Sequence, residues 1–140
     1  MNTNFYRMFP EIKFAVVKLQ SEILYFHELE KLNHEYKSDD NYSIIQSLLI
    51  IIDKRCKINF SLKDLTKLSE LYNTEFQTNN HKIIVWLVAQ PVITALTHLF
   101  VLKTRDNSHY CSTIDKAYGL LDIPINFEKF KKLILSQNYN

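Results

Sequence analysis

The sequence predicts a small α/β sandwich, with a sheet of about four mostly parallel strands and four to five helices. Three observations carry this expectation. Short apolar runs rich in Val and Ile recur at Ile12–Leu19, Ser47–Ile52 and Ile83–Val88, the pattern of strands covered on both faces. Between them, apolar residues fall at helical spacing: Tyr25, Leu29, Leu32 and Tyr36, then Leu62, Leu65, Leu68, Tyr72 and Phe76. Strands that alternate with helices form parallel pairs through right-handed crossovers.

The elements follow in order. Ile12–Leu19 (IKFAVVKL) alternates in part and ends in β-branched valines, so it reads as the first strand. The Tyr25 to Tyr36 stripe is interleaved with Glu22, Glu28, Glu30 and Lys31, which makes an amphipathic helix. It stops at the polar loop Ser38-Asp39-Asp40-Asn41. Ser47–Ile52 (SLLIII) is a central strand closed by Asp53-Lys54-Arg55. Ser61, with Asp64 three residues on, forms a weaker version of the capping box and opens the second helix. Pro91 suits the first turn of a helix, where its missing N–H costs nothing. That helix, roughly 91–103, is apolar nearly all round, so it is either sandwiched inside the domain or turned towards a partner. His109 to Cys111 reads as a short strand, and Thr113 to Leu121 as a helix starting at Ser112-Thr113. Pro124 separates it from a last helix carrying Phe127, Phe130 and Ile134.

Length and composition set the outer bounds. A chain of 140 residues with 46% hydrophobic and 23% charged residues is sized for one domain with a real core. The expected organisation is one domain over 1–140, with 122–140 as a C-terminal helical extension. The net charge is +2 and the two signs are interleaved, so no basic stripe marks a nucleic-acid partner. Lys129, Lys131 and Lys132 read as the solvated face of the terminal helix. The longest apolar runs fall far short of the roughly 20 residues a membrane span needs, so no membrane insertion is expected. Met1 to Pro10 lacks the apolar core and cleavage site of a signal peptide. A cytoplasmic location follows, with Cys56 and Cys111 as free thiols.

The single glycine, Gly119, excludes several chemistries. Phosphate-cradling loops need close backbone approach and positive φ at several positions. The dinucleotide fingerprint, the phosphate loop and the nucleophile elbow all require several glycines. No cofactor and no metal is expected. His27, Glu30 and His34 share one helix face, but an exposed polar face accounts for them more simply than a metal. Cys56 and Cys111 lack paired ligand spacing. Cys111 and His109 alternate on a strand with no third group to orient them. Trp86 and most of the nine Phe and eight Tyr residues fall on buried stripes.

The remaining polar residues define a candidate edge. Asp53 and Arg55 follow a central strand at its carboxyl end, where open α/β sheets bind ligands; they equally suit a structural pair that orders the loop before Ser61. Gln90 and Thr94 sit at the start of the Pro91 helix, a place that can attract an anion or simply be well capped. Ser112 begins the next helix. With parallel strands, Asp53, Arg55, Ser61, Gln90, Thr94 and Ser112 gather along one edge. Ser61 reads as an N-cap worth about 1 kcal/mol. It also has the placement of a phosphorylation site, because a phosphate gains from free N–H groups at a helix start.

The series FPEIKFAVVKL, LLIIID with Arg55 and FSLKDL, KIIVWLVAQPVITALTHLF and STIDKAYGLL resembles the STAS-like (sulfate-transporter and anti-anti-sigma-like) small α/β proteins of the Bacteroidetes type, most without an assigned activity. The resemblance covers roughly residues 9–121 and rests on Asp53-x-Arg55, Phe60-Ser61, Pro91-x-x-Thr94-Ala95-Leu96 and Ser112-Thr113. It implies a STAS-like sandwich. In anti-sigma-factor antagonists the matching helix start reads Asp-Ser-Ser-Gly and one serine is phosphorylated; here only Ser61 matches, and the acid, the second serine and the glycine are absent. Taken together, the expectation is a non-enzymatic regulatory or protein-interaction module that binds a protein partner or self-associates. The alternative is a binder of a small apolar or anionic ligand. Converging polar groups for an enzyme are lacking.

Overall fold

The computed structural model describes residues 3–59, 61, 63–68, 70, 82–90, 93, 94, 97, 98 and 107–136. Its main sheet has five strands in the order β1-β2-β4-β6-β7. These are β1 (Phe5–Phe9), β2 (Phe14–Leu19), β4 (Ser47–Ile52), β6 (Ile83–Leu87) and β7 (Asn107–Cys111). A separate two-stranded ribbon joins β3 (Ile23–Tyr25) to β5 (Lys57–Asn59). β1 runs antiparallel to β2, and the other neighbours in the main sheet are parallel.

The α/β class holds, but a sheet of about four mostly parallel strands is corrected to a mixed sheet of five. The added strand, β1, lies at the edge, and all but one of its residues are half-buried, so it lacks the alternation that marks a strand in sequence. Pro10–Ile12 forms a 3-10 turn, and Lys13 closes the β1–β2 hairpin at φ 55. Lysine in this left-handed position gives no turn signal, since Gly or Asn is the usual occupant.

From β2 onward each parallel strand is laid beside the previous one in the same direction. With right-handed crossovers, that order puts every crossing helix on one face. The core divides accordingly. On one face, α1 (Phe26–Lys37) presents Leu29, Leu32 and Tyr36 to Ala15, Val17, Leu48 and Ile50. Leu65 and Leu68, on helical residues 63–68, and Ile93 join the same cluster. On the other face, Phe14, Val16, Leu49 and Val85 meet α2 (Ile114–Leu120) and α3 (Phe127–Ser136) through Ala117, Phe130 and Ile134.

Local signals explain the ends. Thr113 caps α2 by accepting from the Lys116 N–H at 3.4 Å, and Asn126 caps α3 by accepting from the Lys129 N–H at 2.8 Å. Tyr25 does not belong to the buried stripe of α1. It ends β3 at 40% exposure, and its N–H donates to Glu28 Oε1 at 3.2 Å. Leu62, Tyr72 and Phe76 of the second expected helix lie outside the described residues. So do Pro91, Val92, Ala95, Leu96 and 99–103 of the third, whereas 93, 94, 97 and 98 are helical.

Candidate functional site

Parallel strands all end on the same side, so the fold gathers their carboxyl ends into one region. A cleft of about 550 Å³ opens there. Each of the four parallel strands contributes to it: Lys18 and Leu19 from β2, Ile51 to Lys54 from β4 and its turn, Leu87 to Ala89 from β6, and Ser112 after β7. Ile114 of α2 and Ile134 and Leu135 of α3 close the far side. A second cleft of about 510 Å³ shares Val88 and Ser112 with the first and continues along Thr94, Tyr110, Cys111 and Leu120.

The expected edge residues divide between these clefts and the loops. Asp53 and Ser112 meet in the first cleft, and Thr94 and Ser112 in the second. Arg55 is exposed and turned onto Asp53. Its N–H donates to Asp53 Oδ1 at 2.8 Å and its Nε at 3.4 Å. The pair orders the turn, and it lies on the surface, where such an ion pair is worth at most about 1 kcal/mol. Gln90 lines neither cleft. Its Nε2 donates to the Cys56 carbonyl at 3.2 Å, and its own carbonyl accepts from the Thr94 N–H and hydroxyl, both at 2.8 Å. Gln90 therefore ties the chain entering the helical residues 93 and 94 to the chain leaving the Asp53 turn.

Ser61 is likewise outside both clefts. It forms a full reciprocal cap, its Oγ accepting from the Asp64 N–H at 3.2 Å and its N–H donating to Asp64 Oδ2 at 3.0 Å. Both groups are exposed or half-buried. Ser61→Ala is expected to lower unfolding free energy by about 1 kcal/mol in urea titration. A change below a few tenths would show that the cap adds nothing to stability.

Sequence reading missed Lys18. It sits inside an apolar strand, is 6% exposed, and donates from Nζ to the Ile134 carbonyl at 3.3 Å. That carbonyl belongs to the last turn of α3, where the helix dipole favours a cation. The contact spans 116 residues, so no local pattern announces it. Burial pulls the Lys18 ammonium below the ordinary lysine value, and nearby Asp53 pulls it partly back. Partial burial alone would raise Asp53. The Arg55 N–H and guanidinium, followed by Lys18, outweigh that and hold its carboxyl below the usual carboxylate value.

The other reactive side chains are engaged elsewhere. Burial pushes the Cys56 thiol up to about 11, with a Ser21 hydrogen bond opposing and Asp53 and Glu28 adding to the rise. Burial also raises Cys111, whose Sγ donates to the Thr113 carbonyl at 3.6 Å. Raised thiols are weak nucleophiles at neutral pH. His109 Nε2 lies 2.6 Å from Asn107 Oδ1, and Glu30 pairs with Lys67 at 3.6 Å. No helix among the described residues is long and apolar enough to cross a membrane. Comparisons with protein-family models, with curated proteins and with solved structures find no match.

Proposed function

We propose that this chain is a non-enzymatic regulatory or protein-interaction module of STAS-like type, acting in the cytoplasm. The observation that carries the reading is the β3–β5 ribbon. Its register pairs Ile23 with Lys57 and Tyr25 with Asn59. Leu24 points inward at 1% exposure, while Ile23 and Tyr25 are each 40% exposed. The outer edge of β3 is partly engaged within the chain, because the Ile23 carbonyl accepts from Ser21 Oγ at 3.0 Å and the Tyr25 N–H donates to Glu28 Oε1 at 3.2 Å. What the ribbon offers is its pair of exposed side chains, Ile23 and Tyr25, which can anchor a partner. The ribbon borders the Asp53-Arg55 turn, and Ser61 follows β5 by two residues.

On this reading Ser61 is the switch of the same surface. A phosphate on its hydroxyl would be attracted by the helix start but would sit beside the Asp64 carboxylate that now bonds the Ser61 N–H. Phosphorylation would therefore open the reciprocal cap and reshape the end of the ribbon.

The test is capture by tagged protein in extract of the native host, quantified for wild type and for an Ile23→Asp, Tyr25→Ser double variant. Light scattering runs in parallel to detect a dimer. Both positions are exposed, so the variant should keep the wild-type circular dichroism and melting temperature. The expected result is a partner or dimer held by wild type and reduced roughly tenfold in the variant, as for loss of central apolar anchors. Equal retention by both proteins, or a monomer without a partner, would overturn the reading.

A further inference from the structure

We propose that the chain forms a two-fold dimer by pairing β1 antiparallel with β1 of a second copy, in the register centred on Tyr6, so that the five-stranded sheets of the two copies join into one. This surface is separate from the β3–β5 ribbon. Among the described residues β1 has a neighbour on one side only, β2. The backbone groups on its other side follow from the ladder. The Ser47 N–H donates to the Lys13 carbonyl at 3.1 Å and the Asp53 N–H to the Leu19 carbonyl at 2.9 Å. From Lys13 to Leu19, every second residue therefore turns its backbone groups to β4, and Phe14, Val16 and Lys18 turn theirs to β1. These three stand opposite Phe9, Arg7 and Phe5. Gln20 continues the alternation, donating its N–H to Asn4 Oδ1 at 2.8 Å. The N–H and C=O of Tyr6 and Met8 are left facing away from the sheet. A groove of about 410 Å³ runs there, lined by Thr3, Phe5, Tyr6, Arg7, Met8 and Asp39. Such an edge is a template for another strand.

The residues of β1 select a second copy and its register. A two-fold contact must be self-complementary, and paired strands keep like faces together, so one residue sits opposite its own counterpart. Centred on Arg7, the contact sets two guanidinium groups against each other, and like charges directly opposite destabilise a pair. Centred on Met8, it sets Tyr6 against Pro10, which has no N–H to give. A centre nearer the N-terminus overlaps less of the strand. Centred on Tyr6, the contact avoids all three faults. Tyr6 then exchanges its N–H and C=O with the second copy's Tyr6, and Met8 does so with the second copy's Asn4. Each Arg7, the one charged and the one exposed residue of β1, comes opposite a Phe5 ring, where a guanidinium over an aromatic face is favourable. Phe5 and Met8 are half-buried, so each keeps apolar surface that the second sheet covers.

Sedimentation equilibrium of the full chain should show a monomer–dimer equilibrium. Met8→Pro removes an outward N–H that the chain's own sheet does not use, a position where an edge strand tolerates proline. It should weaken the dimer by at least roughly tenfold. The register is read by disulfide formation under copper phenanthroline. Opposed residues outside the hydrogen-bonded pairs have Cα atoms about 4.5 Å apart, within reach of a disulfide. Phe5→Cys mixed with Arg7→Cys should therefore link. Phe5→Cys alone, Arg7→Cys alone and the wild type, whose own cysteines are buried, should not. These exchanges leave the backbone groups of β1 in place and decide the matter if Met8→Pro does not fold. A monomer at every soluble concentration, a dimer untouched by Met8→Pro, linkage of Arg7→Cys alone, or no linkage in the mixture would each overturn the proposal. So would a dimer dissolved by Ile23→Asp, Tyr25→Ser, since the contact would then lie at the ribbon. On this assignment that variant stays dimeric and loses only a captured protein. Met8→Pro loses the dimer and keeps that protein, so the two readings fail separately.

Discussion

Phe130→Ala is expected to cost about 4 kcal/mol of unfolding free energy and to loosen the C-terminal helix from the sheet. Phe130 is fully buried. Its ring lies 6.0 Å from that of Phe14 on β2 and 5.4 Å from that of Tyr118 on α2. It thus touches both the sheet and the neighbouring helix through aromatic contacts. Truncation removes the transfer free energy of the ring and leaves a cavity, and the two terms add. The neighbours have little freedom to collapse into the gap. Tyr118 is fixed by its hydroxyl, which donates to the Ile125 carbonyl at 2.7 Å, and Phe14 is pinned between β1 and β4 in the sheet. Against a typical total of about 5–15 kcal/mol, the loss leaves a marginal protein. Urea unfolding followed by circular dichroism measures it, and hydrogen exchange should show the amides of α3 opening first. A loss below about 2 kcal/mol would mean that α3 reseats on the sheet and that Phe130 is not its anchor. The cleft would suffer as well, because Ile134 and Leu135 form part of its wall and Ile134 holds Lys18.

Which parts of this arrangement could be read in advance depended on whether the signal was local. SLLIII became β4 with the expected bounds, because six consecutive apolar residues suit a strand covered on both faces. Thr113 and Ser61 were legible as helix starts, since capping is decided within three residues. The ribbon was not: β3 and β5 have three residues each, too few to show a period. β1 was hidden because its residues are neither alternately buried nor continuously so. The candidate edge was legible in part. Asp53 and Ser112 do meet, because parallel strands end together. Gln90 and Ser61 do not join them, because the side chain of each has a backbone partner elsewhere, the Cys56 carbonyl for Gln90 and the Asp64 N–H for Ser61. Lys18 and Lys82 were passed over for a shared reason. A lysine beside apolar residues looks like the solvent-facing member of an alternating strand, and only tertiary structure supplies the carbonyls that bury it.

Lys82 carries the second large effect. It immediately precedes β6, is 8% exposed, and donates from Nζ to the carbonyls of Tyr42 and Ile45. Its ammonium also lies 4.4 Å from the centre of the Tyr42 ring. These contacts fasten the loop between α1 and β4, which has turn-type hydrogen bonds but no regular element of its own. Lys82→Ala is expected to cost about 3 kcal/mol, from lost stem packing together with the Ile45 carbonyl deprived of its lysine donor; the Tyr42 carbonyl keeps the Ile45 N–H at 3.1 Å. Lys82→Met separates the two contributions, because it keeps the stem. About 1 kcal/mol of the loss should persist in it, chiefly from the Ile45 carbonyl. Burial pulls the Lys82 ammonium below the ordinary lysine value of 10.5. Folding therefore disfavours its protonated form, and the unfolded chain binds the proton more readily. Stability from this group rises as pH climbs from the folded-state value towards 10.5, and is lost as pH falls back through that value. Both variants lack the titrating amine, so their deficit relative to wild type should be larger at pH 10 than at pH 7. A deficit under about 0.5 kcal/mol in Lys82→Met would show that water or backbone movement satisfies the Ile45 carbonyl. The loop would then be held by the Tyr42 ring packing in the core, where it lies 5.9 Å from the ring of Tyr36, and not by the lysine.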